Sequence, residues 1–82
     1  MAARPQHTPH YRALCQMLRE MREQAGLTQR ELAPLMGMHN SMVHRSEIGD
    51  RRIDPVEFVQ WCRACGTEPS SAIEDLTRLI VD

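Results

Sequence analysis

Lysine is missing from this chain: all ten basic residues among its 82 are arginine. Either a GC-rich genome or a use of the planar guanidinium, which pairs bidentately with phosphate or guanine, accounts for that bias. Cysteine is scarce, and its count of three is odd. With no export signal in the opening MAARPQHTPH, a disulfide framework is not expected and reduced thiols are. No apolar run approaches the roughly 18 residues that would span a bilayer, which leads us to expect a cytoplasmic protein with no membrane partner. Gly and Pro together fill only nine positions, hydrophobic residues make up 41% and charged residues 26%, so the chain is expected to fold. At this length a second, ligand-sensing domain is not expected to fit. An enclosed active site is equally unexpected, so the reading is of a non-enzyme that works through an outer face.

The formal net charge of −1 hides an asymmetry. Residues 1–53 hold eight Arg against five acids, and residues 54–82 hold two Arg against six. One pole is therefore suited to an anion.

The pattern along the chain is helical throughout, with neither strand alternation nor an internal repeat. Residues 1–9 carry two prolines and little apolar character, and read as a mobile arm ahead of a single domain at 10–82. Thr8 can cap a first helix with Pro9 in its first turn. Tyr11, Leu14, Leu18, Met21 and Ala25 trace its inner face, and Gly26 can end it. Thr28 and Glu31 form a capping box for a second helix, with Leu27 and Leu32 as its hydrophobic staple. Pro34 makes that helix short or bent, ending near Met36 and Gly37. A third begins at His39 or Asn40 after a tight connection and stops at Gly49. Asp54, Pro55 and Glu57 repeat the capping grammar for a fourth, whose stripe is Phe58, Trp61, Cys62 and Cys65. A fifth spans about 69–81 and carries Ile73, Leu76, Leu79 and Ile80.

Five short helices with so tight a link between the second and third describe an all-α helix-turn-helix domain. The residues Leu18 to Ala33, containing Gly26-Leu27-Thr28-Gln29, then Gly37-Met38, then Ser41-Met42-Val43-His44-Arg45-Ser46-Glu47-Ile48-Gly49, give the chain a more specific likeness. It resembles the Xre type, the Cro and phage-repressor group of lambda-repressor-like DNA-binding domains, over roughly residues 12–76. The resemblance implies that the third helix enters the major groove of double-stranded DNA and that Asn40, Ser41, His44 and Arg45 face base edges. It assigns phosphate contacts to Thr28, Gln29, Arg51 and Arg52, and an internal salt bridge to Arg22 and Glu47. It also implies a bacterial or phage-encoded, nucleoid-associated transcriptional regulator, read here as a repressor on a palindromic operator. The alternative is a protein-interaction module, such as a toxin's antitoxin or an antirepressor. Two positions depart from the family: Ser46 stands where a large apolar residue is usual, and Ile48 where a polar one is common. The Trp61 ring is expected to offset the volume lost at Ser46.

Cys62-x-x-Cys65 has redox and zinc spacing, but no strand precedes it and no full ligand set accompanies it, so core packing is the expected role and no cofactor or metal is assigned. The six Met residues read as gap-filling side chains. A lone domain reads few base pairs, so a homodimer is expected, with Leu76, Leu79 and Ile80 as its interface. The competing reading of those three residues is that they fold back on Tyr11 and Leu14.

Overall fold

Thr8 opens the first helix: its hydroxyl accepts the Tyr11 amide at 3.1 Å, and Pro9 follows in the first turn. The computed structural model describes residues 8–81, with α1 at Pro9–Gln24, α2 at Gln29–Met36, α3 at Asn40–Ile48, α4 at Pro55–Ala64 and α5 at Pro69–Leu79. Among the described residues the fold is all-α, with five helices. Most of the arm expected at 1–9 lies outside the described residues, and Thr8 caps α1 while Pro9 begins it. The last helix ends at Leu79, two residues earlier than the apolar spacing suggests, and Ile80, at φ −108° and ψ 35°, has already left the helical conformation.

The starts of α2 and α4 are set by reciprocal capping. Thr28 Oγ1 accepts the Glu31 amide at 3.1 Å while Glu31 Oε1 accepts the Thr28 amide at 2.8 Å. Asp54 and Glu57 repeat this at 2.7 and 3.1 Å. Each box satisfies two amides that a helix start otherwise leaves bare. Pro34 lies inside α2 and cannot donate to the preceding turn, yet the helix keeps its shape through Met36 because Leu32, Ala33 and Met36 are buried.

The link from α2 to α3 turns on Gly37, whose φ is +65°. Its amide donates to the Pro34 carbonyl at 3.2 Å, and the Met38 amide reaches back to the Ala33 carbonyl at 3.0 Å. A side chain there would meet nothing within 4 Å, so glycine is needed for the left-handed backbone and not for space.

Leu18, Leu32, Val43, Trp61 and Cys62 are completely buried where the helices meet. The Trp61 indole N–H donates to the Leu18 carbonyl at 3.0 Å, fastening α4 to α1. Ser46 is also fully buried, and its polarity is used: the hydroxyl donates to the Met42 carbonyl at 2.8 Å and accepts from Arg51 at 3.4 Å. A polar seat for Arg51 therefore accounts for serine at this position. Helix α3 packs on α1 and α2, and α5 closes across α1 and α4. No helix among the described residues is long and apolar enough to cross a membrane.

Candidate nucleic-acid interface

Helix α3 buries Val43, Ser46 and Glu47, which at i, i+3 and i+4 share a single face. That spacing directs Ser41, His44, Arg45 and Ile48 to the exposed side, with Asn40 half-buried at the first turn. His39, which sequence reasoning weighed only as a helix start, caps α3. Its Nδ1 accepts the Ser41 amide at 3.1 Å and lies 2.9 Å from the Ser41 hydroxyl. No hydrogen bond within the described residues holds the Asn40 or Arg45 side chain, so both are available to a partner.

Behind that face the helix is held by charge. Arg22 Nε donates to Glu47 Oε2 at 2.6 Å and its terminal nitrogen to Glu47 Oε1 at 3.1 Å, with a third bond at 2.8 Å to the Leu27 carbonyl. Hydrogen bonding to Glu47 raises the Arg22 pKa above its ordinary value, outweighing the opposing effect of burial. Gln29 adds to the pair by donating from Nε2 to Glu47 Oε1 at 3.0 Å, and that nitrogen also lies 3.4 Å from His44 Nδ1. The four side chains Arg22, Glu47, Gln29 and His44 thus run from the interior of α1 and α3 to the exposed face.

The two arginines after α3 separate. Arg51 forms a bidentate pair with Glu57 at 2.6 and 3.3 Å and is about four-fifths buried. The Arg51 hydrogen bonds hold the Glu57 carboxyl below its usual range. Arg52 is exposed and lies over the Tyr11 ring, 4.8 Å from its centroid. The Tyr11 hydroxyl accepts the Ile53 amide at 3.0 Å, so one side chain from α1 anchors the loop and supports the arginine. Burial pushes the Tyr11 phenol up. Tyr11 was read as a core residue, and its polar role carried no local signal.

Thr28, also on this side, has its hydroxyl engaged in the capping box. The Gln29 side-chain nitrogen is engaged by Glu47 and lies beside His44, leaving the Gln29 backbone N–H at the first position of α2. Of the residues expected at a dimer surface, Leu76 packs against the core and lines an apolar groove with Tyr11 and Leu14. Leu79 is 57% exposed, and Ile80 is half-buried where α5 ends.

Cys62 is buried, its thiol 3.8 Å from the Met21 sulfur, and burial pushes Cys65 up to about 11, so these groups remain thiols at neutral pH. Among the described residues no group of three or more His, Cys, Asp or Glu is placed to hold a metal.

A family model described as a helix-turn-helix domain matches residues 11–77. A solved structure of an XRE-family like protein from Pseudomonas syringae pv. tomato str. DC3000 is similar to this chain with a TM-score of 0.80 and 39% identity, over 88% of each chain. The chain belongs to the XRE family of helix-turn-helix domains. No curated protein matches it. Membership makes this XRE-family chain a DNA-binding regulator with the fold of a transcription factor and not of an enzyme.

Proposed function

We propose that this protein is a transcriptional repressor that occupies a palindromic operator as a homodimer. The supporting observation is the division of α3: one face is locked to α1 and α2 through Glu47, and the other presents Asn40, Ser41, His44 and Arg45 outward. In the major groove Asn40 is suited to adenine and Arg45 to guanine, each by a bidentate pair. Arg52 and the first two amides of α2, of Gln29 and Arg30, serve phosphates. Arg51 is a structural partner of Glu57, and Thr28 serves as the cap that aims those amides. Of the expected interface residues, exposed Leu79 and half-buried Ile80 at the end of α5 supply apolar surface for the second copy.

Selection of bound duplexes from a random DNA pool tests the proposal. The expected result is an enriched palindrome with half-sites about 34–36 Å apart, holding two chains by sedimentation. Absence of enrichment overturns it, and recovery of one stoichiometric protein partner in place of a DNA motif favours the antitoxin or antirepressor class.

On the selected site, Asn40→Ala and Arg45→Ala should each lose about 1–3 kcal/mol and relax base choice at one position, with little change on unrelated DNA. Arg52→Ala should weaken all sequences alike and reduce the salt slope by about one unit. Titrations at several salt concentrations separate the two patterns, and identical specificity profiles for the three variants would count against the assignment of α3.

A further inference from the structure

Glu47 has both carboxylate oxygens bonded to Arg22 and can only accept hydrogen bonds. Gln29 must therefore present its NH2 group, and not its carbonyl, to Glu47 Oε1 at 3.0 Å. The same nitrogen stands 3.4 Å from His44 Nδ1. One amide hydrogen goes to Glu47, and an amide NH2 can only donate, so for this contact to be a hydrogen bond Nδ1 must be the bare, accepting nitrogen. A proton on Nδ1 would confront the amide hydrogens. In the neutral ring the proton then sits on Nε2, on the side away from Gln29.

We infer that the Arg22–Glu47–Gln29 chain fixes His44 as its Nε2–H tautomer, so that His44 reads its base only as a hydrogen-bond donor. This rests on the reading of α3 as the groove helix. In the major groove guanine offers two acceptors, adenine N7 one and thymine O4 one, whereas cytosine presents an amino donor. His44 therefore favours guanine and rejects cytosine at the base it faces. Gln29 is a positioning residue for this selectivity, acting through the imidazole.

Two measurements test the inference. In the free protein, nitrogen-15 correlation spectra of the imidazole at mildly alkaline pH should show His44 as Nε2–H, and Gln29→Ala should lose that single-tautomer signature. On duplexes carrying each base at the position where His44→Ala abolishes discrimination, the wild type should bind the cytosine version about five- to tenfold more weakly than the guanine version. That gap should shrink to about twofold in Gln29→Ala and in His44→Gln, whose amide both donates and accepts. An Nδ1–H ring in the free chain, or a cytosine gap unchanged by Gln29→Ala, overturns the inference and leaves the groove assignment standing. If His44→Ala alters discrimination at no position, the groove assignment of His44 fails and takes the inference with it.

Discussion

Replacing Arg22 with alanine is expected to destabilise the fold by about 3–5 kcal/mol, measured by urea denaturation. The side chains of Arg22 and Glu47 are only 11% and 3% exposed, so the carboxylate cannot recover its lost partner from water. Gln29 would remain as one neutral donor, which is too little for a buried charge. The Leu27 carbonyl would lose its bond from the guanidinium as well. Much of the cost is the penalty of an orphaned anion and not the net worth of the pair, so an Arg22→Met, Glu47→Leu double variant should recover most of the stability. It should not recover DNA affinity, because the side chains that set the angle of α3 would be gone. A loss below about 1 kcal/mol for Arg22→Ala would place Glu47 in solvent contact.

Trp61→Ala is expected to cost a similar amount, about 3–5 kcal/mol, with the cavity left in the core as the main cause. Trp61 is fully buried and touches both the packing and the polar framework, because its N–H reaches the Leu18 carbonyl on α1. Trp61→Phe separates the two contributions. It keeps most of the ring and loses the donor, so the portion due to the hydrogen bond should be about 1 kcal/mol. Denaturation midpoints for the two variants measure the split, and equal losses would assign the whole effect to the N–H.

What was legible in the sequence follows from distance along the chain. The capping boxes of Thr28 with Glu31 and of Asp54 with Glu57 use residues three apart, so the sequence displays them directly. Pro34 and Gly37 likewise act on their own backbone, which is why the end of α2 could be read from them. Arg51 and Arg52 look alike as neighbours, yet they differ in the fold because Glu57, already engaged as a cap, has a second oxygen facing Arg51. That second use leaves no mark in spacing. Leu76 and Leu79 stand on one apolar stripe and are equivalent by periodicity, but only Leu76 reaches the core. The family pattern placed the candidate reading residues on α3, while the Gln29 contact that orders the His44 ring spans 15 positions and depends on how α2 meets α3.

The bond from the Ile53 amide to the Tyr11 hydroxyl joins residues 42 apart, from α1 to the loop that leaves α3. Loop amides ordinarily exchange their hydrogens with water through small local openings. Ile53 can do so only when the Tyr11 ring withdraws, and that ring is 9% exposed and part of the core. The loop after α3 is therefore expected to open together with the docking of α1 and not on its own, and amide exchange at Ile53 should be as slow as that of the α1 core.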